Sequence, residues 1–258
     1  MEKCPTHFYR YRSLQGDSVE FVERTVRLNE LYFPSPSSFN DPFDCRPTFS
    51  FEAPPEEMER YYSRLWEKYC PELGSQQRQN EVDNMLKDTD EMRRREHAAM
   101  QMHVEKITRR IGVLCLSEVH DDILMWSHYA DSHRGICFEF NGYLEFFGQA
   151  QEVAYSAERP KINPIRDSQD EMLSAALLTK AQHWSYEKEW RLIQYRNGPG
   201  SYQFPEGALT GIILGAQISE ASASMIAKWI DVRECKPKLY RAAVDSFTFA
   251  LNINEVRS

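Results

Sequence analysis

Glu187 and Glu189 stand two residues apart in "HWSYEKEWRL", and Arg191 stands two further on. On a β-strand that spacing puts all three side chains on one face. Two carboxylates held so close repel, and in a cleft one of them is pushed towards its protonated form while an arginine neutralises the other. A carboxylate whose pKa is raised in this way is suited to general acid–base work. The plainer reading is an exposed strand edge with an ordinary Glu–Arg pair. Trp184, Tyr186 and Trp190 argue against a fully solvated face.

Three further stretches carry polar side chains beyond what a scaffold needs. In "YRYRS", strand alternation puts Tyr9 and Tyr11 on one face and Arg10 and Arg12 on the other. In "LYFPSPSSFNDPFDC", Ser35 and Ser37 follow a strand-like start, and Asn40, Asp41 and Asp44 are interleaved with Phe39, Pro42 and Phe43. Asn and Asp bond backbone N–H groups in such turns, and Pro42 drives Asp41 towards extended backbone. A rigid self-bonded turn pinned by two buried phenylalanines is therefore expected. In "MWSHYADSHRGICFEF", Trp126, His128, Tyr129 and His133 precede a glycine-led strand. The two histidines are five apart, not the i, i+4 spacing that puts two ligands on one helical face. Zinc ligation there requires a further segment, for instance His120 or Asp121. A cluster bonding backbone and neighbours is the simpler expectation, and no metal is assigned.

The elements that must position these residues follow from periodicity. Strands are predicted at "HFYRYRSL", "ELYFPS", "IGVLCLSE", "RGICFEF", "EVAYS", "KEWRLIQY", "LTGIILG", "KLYRAAV" and "FTFALNI". Helices are predicted at 17–29, over "DDILMWSHYAD" with Asp121 or Asp122 near its cap, at 168–183, and over "SEASASMIAKWIDV" with Ser219 as N-cap. Between about 54 and 110 the pattern turns helical, with one helix through Met58, Tyr61, Tyr62, Leu65 and Tyr69 and a long polar one through "DEMRRREHAAMQMHVEKITRR". Many strands with few, irregular helices predict an α+β fold, a single domain over 1–258 carrying a helical insertion at about 54–110.

The 258 residues are 41% hydrophobic and 12% aromatic, which supports a real core. The net charge of −8 argues against a uniformly basic nucleic-acid groove. No apolar run reaches the ~20 residues of a membrane span, and the N-terminus is not expected to be a signal peptide. The six cysteines, Cys4, Cys45, Cys70, Cys115, Cys137 and Cys235, form no C-x-x-C pair, so a reduced, cytoplasmic protein that contacts no membrane is expected.

Taken together, "FNDPFDC", "MWSHYADSHRGICFEF" and "YEKEWRL" resemble a bacterial family known as domain of unknown function 2971, over almost the whole chain outside the insertion. That resemblance implies no activity. Beneath it, Arg on a first strand, Ser-x-Ser on a second and Glu-x-Glu on a later one resemble the ADP-ribosyltransferase superfamily, whose split β-sheets enclose a NAD cleft. The resemblance implies NAD as the substrate, with ADP-ribosyl transfer or NAD hydrolysis as the reaction, in a bacterial toxin or phage-defence effector. It implies Glu189 at the ribose 2′-OH, Glu187 on the nucleophile, and Ser35 or Ser37 at the nicotinamide ribose or bracing Glu189. Arg10 or Arg12 would take the pyrophosphate, and Tyr9, Tyr11 or Tyr129 would stack on nicotinamide. Asn40, Asp41, Asp44, Trp126, His128 and His133 complete the candidate cofactor site, and the acceptor is a protein or a nucleic acid. Two other readings stay open. One is a metal-dependent nuclease or phosphoesterase using Asp41, Asp44, His128 and His133. The other is a non-catalytic nucleotide-sensing module whose helical insertion docks a partner protein.

Overall fold

The computed structural model describes residues 5–87 and 90–256, the side chain of Met92 excepted. From the N-terminus the elements are β1 (His7–Arg12), α1 (Ser18–Leu28), β2 (Glu30–Phe33), β3 (Thr48–Phe49), α2 (Pro55–Tyr69), α3 (Ser75–Met85), α4 (Asp90–Thr108), β4 (Gly112–Ser117), α5 (Ile123–Tyr129), β5 (Ile136–Asn141) and α6 (Glu145–Gly148). There follow β6 (Gln151–Glu152), β7 (Ala154–Ser156), β8 (Lys161–Ile162), α7 (Gln169–Leu177), β9 (Thr179–Ala181), β10 (Glu189–Gln194), β11 (Gly200–Gln203), β12 (Leu209–Leu214), α8 (Glu220–Asp231), β13 (Lys238–Val244) and β14 (Leu251–Glu255). The architecture is α+β. By its contacts the chain divides into two compact units: Met1–Ser38 with Arg109–Tyr155 and Gln182–Ser258, and Phe39–Thr108 with Ser156–Ala181.

The first unit is built on an eight-stranded sheet in the order β14-β13-β12-β5-β1-β4-β10-β6. Only β12 and β13 run parallel, and α8 makes the crossover that a parallel pair requires. Strand alternation sorts the core. Phe8, Leu114, Phe138, Trp190 and Ile212 point to one face, covered by Val22 and Val26 of α1 and Ile226 and Ile230 of α8. Tyr9, Tyr11, Cys137, Ile213 and Ala242 point to the other, covered by Met125 and Trp126 of α5. The expected division of β1 therefore holds, with both tyrosines buried together. The join between β1 and β4 is narrow: Tyr9 opposite Ser117 is the registered pair. Beyond it the Arg10 guanidinium donates to the Cys115 carbonyl at 2.6 Å, a side chain doing there what a ladder bond does elsewhere.

Local chemistry sets several boundaries as expected. Asp122 is the N-cap of α5, its carboxylate accepting from the N–H groups of Leu124 and Met125, both at 2.9 Å. Ser219 caps α8 by accepting from Ser222 N–H at 3.1 Å. Other boundaries differ. The helix predicted over 168–183 stops at Leu177, and Thr179–Ala181 is a strand, in keeping with the β-branched Thr179. The strand predicted from "FTFALNI" begins only at Leu251, because Asp245 draws the N–H groups of Phe247 and Thr248 into a tight tip. A helix at Ser75–Met85 was not legible in its polar sequence; Gln77 opens it by accepting from the Gly74 N–H at 3.2 Å.

The segment after α5 is held in an uncommon backbone. Asp131, Ser132 and His133 have φ of 48°, 52° and 67°, three consecutive non-glycine residues in the left-handed region. The turn is secured by His133 N–H to the Trp126 carbonyl, Gly135 N–H to the Ala130 carbonyl, and Arg134 gripping Asp131 through two bonds of 3.1 Å. It then feeds Gly135 against the Arg12 carbonyl, where a Cβ would sit 2.1 Å from the oxygen. The contact is backbone, so it cannot swing aside. Gly135→Ala is expected to lower stability by about 1–3 kcal/mol, checked by urea unfolding of both proteins.

The second unit combines α2, α3, α4 and α7 with a parallel pair in which Thr48 faces Lys161 and Phe49 faces Ile162. Its N-terminal turn is self-bonded as expected: Asp41 accepts from the Phe43 N–H at 2.8 Å. Phe43, however, is 62% exposed and does not pin the turn; Asp41 and Asp44 are the buried members. Their backbone and carboxylate bonds satisfy them inside, and the ring is left outside. None of the five cysteines among the described residues is in a disulfide, and Cys4 falls outside that range.

Candidate functional site

The acidic pair is not two rungs of one strand. Glu187 ends a 3-10 turn over Gln182–Glu187, and β10 starts at Glu189. Lys188 between them has φ of 42°, a left-handed residue that re-aims the chain where turn becomes strand. Burial nonetheless takes both: Glu187 is 4% exposed and Glu189 2%.

Each carboxylate has its own partner. Arg191, fully buried, clasps Glu189 through Nε to Oε1 at 2.7 Å and Nη2 to Oε2 at 3.0 Å, a fork-on-fork pair. The sequence predicted that Arg191 would neutralise one glutamate, and it is this one. Glu187 instead accepts from the Tyr129 hydroxyl at 2.6 Å. The backbone is pinned as tightly. Ser117 Oγ donates to the Glu187 carbonyl at 2.5 Å, Glu118 N–H donates to the Lys188 carbonyl at 3.1 Å, and Glu189 N–H donates to Tyr155 Oη at 2.8 Å. Ser117 and Tyr155 were missed in the sequence. Ser117 is the last residue of β4 and faces Glu189 across the ladder, a register no single segment reveals.

Aromatic rings gather on the same side. His128 at the end of α5 is exposed and lies 6.2 Å from Trp184 and 6.5 Å from Tyr186, centroid to centroid, with both of those rings half-buried. Tyr129 lies beside it. Deeper in, Tyr11 meets Trp126 edge-on at 5.2 Å, and Tyr9 meets His120 edge-on at 4.9 Å. Burial pushes the Tyr9 and Tyr11 hydroxyls well above the ordinary tyrosine range, and the charge of Glu139 adds to this at Tyr9. Tyr9 donates to Glu139, and Tyr11 donates to the Val119 carbonyl. Both tyrosines are thus neutral donors.

Of the two first-strand arginines, Arg10 lies near Glu189. Burial disfavours its charge, and the nearby Cys115 and Glu189 pull the other way. Arg12 lies over the Phe21 ring at 5.7 Å. The Pro34 carbonyl, just before the serines, accepts from the N–H of Val113, which lies four β4 residues, on the order of 13 Å of strand, from Ser117. Ser35 and Ser37 bond each other at 2.9 Å, and Ser35 closes a short 3-10 turn over Pro36–Ser38. His133 stacks on Trp126 and meets Ser127 Oγ at 3.3 Å, and burial lowers its pKa. Asn40, Asp41 and Asp44 belong to the second unit. Among the described residues no group of three or more His, Cys, Asp or Glu side chains is arranged to hold a metal ion, and no helix is long and apolar enough to cross a membrane.

Neither the curated proteins nor the solved structures contain a match to this chain. Residues 125–192, the span that runs from α5 through the left-handed turn to the Glu187–Glu189 pair, match the model of a family described as "Protein of unknown function (DUF2971)".

Proposed function

We propose that this chain cleaves the bond between nicotinamide and ribose in NAD, passing ADP-ribose to water or to an acceptor. The observation that carries this reading is the pair of buried glutamates flanking Lys188, one held by a tyrosine and one by an arginine, beside a half-open group of aromatic rings. Departure of nicotinamide leaves positive charge on the ribose, and a fixed carboxylate nearby lowers the energy of that state.

The partners divide the labour. Both oxygens of Glu189 are engaged by Arg191, so this pair positions β10 and the turn before it. Glu187, which accepts from the Tyr129 hydroxyl beside the aromatic rings, is the carboxylate that meets the ribose and receives the proton of the incoming nucleophile. This exchanges the roles that resemblance alone implies. Trp184 and Tyr186 supply flat apolar surface for nicotinamide, with His128 at the rim. Arg10, near Glu189, is the cation suited to the pyrophosphate.

Calorimetric titration with NAD tests the binding half of this reading. Wild type is expected to bind, and Trp184→Ala to bind at least about tenfold more weakly, the loss of ~1.4 kcal/mol of stacking. NAD that gives no heat and no change in tryptophan fluorescence with wild type would remove the reading.

A further inference from the structure

The eight-stranded sheet ends in two very different edges. At one, β6 is 2 residues long, too short to template a neighbour. At the other, β14 is 5 residues long, and its sequence, Leu251-Asn252-Ile253-Asn254-Glu255, has no proline, lysine or glycine to blunt it. Long edges left in this state invite another strand. The tip of the hairpin before β14 adds apolar surface: Phe247 is 96% exposed and Phe249 100%. That tip is built, not loose. Asp245 accepts from the N–H groups of Phe247 at 2.9 Å and Thr248 at 2.8 Å, and from the Asn252 amide at 3.0 Å.

The backbone phase of the edge is readable. Val256 N–H donates to the Leu239 carbonyl, and Asp245 N–H donates to the Ala250 carbonyl, in the same register that pairs Tyr240 with Glu255. Antiparallel ladders alternate, so Asn252 and Asn254 turn their backbone groups towards β13. Leu251, Ile253 and Glu255 turn theirs to the open edge.

We propose that β14 is a dimer interface, pairing antiparallel with the β14 of a second copy of this chain about a two-fold axis at Ile253. In that register every outward group is met. Ile253 faces the partner's Ile253, and Leu251 faces the partner's Glu255, each pair exchanging both N–H···O bonds. Asn252 falls opposite the partner's Asn254, so no like charges meet across the seam. This selectivity matters for a chain of net charge −8, which repels its own kind over most approaches. The acidic residue of the edge, Glu255, is already paired with Lys238 at 3.3 Å. The partner's Val256 comes opposite Ala250, beside the exposed Phe249.

Sedimentation of the full chain over a concentration series tests this, with two variants chosen to spare the monomer. Glu255→Pro removes an N–H that faces solvent in the single chain, which an edge strand tolerates. Phe249→Ser alters a fully exposed ring. Wild type is expected at twice the 30.3 kDa of one chain, and Glu255→Pro at the monomer mass with unchanged far-ultraviolet circular dichroism. Phe249→Ser is expected to raise the dissociation constant about tenfold. Wild type that stays monomeric up to the limit of solubility overturns the proposal. So does a dimer that Glu255→Pro leaves intact, which would lie on another face. So does a monomer that floats with phosphatidylcholine–phosphatidylglycerol vesicles through Phe247 and Phe249, which would make the tip a membrane contact. The outcome does not depend on NAD chemistry.

Discussion

Arg191→Leu is expected to destabilise the fold by about 3–5 kcal/mol, the scale seen when one partner of a buried ion pair is removed. The arginine is fully buried and makes both bonds of a fork to a glutamate only 2% exposed. Without it, the Glu189 carboxylate is left in a site shaped for a salt bridge, short of its main cationic neighbour. For a chain of this size the melting temperature should fall on the order of 10 °C. Removing both charges should be milder, because neither is then stranded. The double variant Arg191→Leu with Glu189→Leu is therefore expected to recover part of the loss, and a double-mutant cycle on thermal or urea unfolding reads the coupling directly. A single-variant loss below about 1 kcal/mol would place the pair among exposed ones and remove its positioning role.

Glu187→Gln should leave the fold nearly intact and stop the chemistry. Glutamine has almost the same shape and can still accept from Tyr129, so the anchoring bond at 2.6 Å survives. What disappears is the negative charge. If that charge stabilises a cationic ribose, turnover should fall on the order of 10²-fold or more, the effect of losing one preorganised electrostatic group. NAD affinity should change far less, since the carboxylate acts mainly as charge develops. Nicotinamide release, NAD titration and melting temperature measured side by side separate these effects. Equal turnover by Glu187→Gln and wild type would take Glu187 out of the chemistry, and a tenfold loss of affinity with unchanged turnover would make it a binding residue only.

The sequence was most informative where periodicity and burial agree. The alternation of Tyr9, Arg10, Tyr11 and Arg12 read correctly because each neighbour on a strand goes to a different face. Asp122 and Ser219 were legible because a cap needs only local backbone N–H groups. The Glu-Lys-Glu spacing misled because Lys188 adopts a left-handed conformation that its residue type does not announce. Phe43 misled for another reason: the turn satisfies its buried aspartates through hydrogen bonds, so a large ring nearby was not needed inside. The partners of the acidic pair, Tyr129, Ser117 and Tyr155, come from three separate segments. Only the register of β4 against β10 brings Ser117 to Glu189. Arg191 was the exception, because i, i+2 on a strand is a local relation.

The most direct test is the fate of NAD incubated with the purified wild-type chain, alone and with protein and nucleic-acid acceptors, resolved by chromatography. The account predicts free nicotinamide, matched by ADP-ribose in solution or on an acceptor, and on the order of 10²-fold less of both with Glu187→Gln. NAD recovered intact from wild type under every one of those conditions would contradict it.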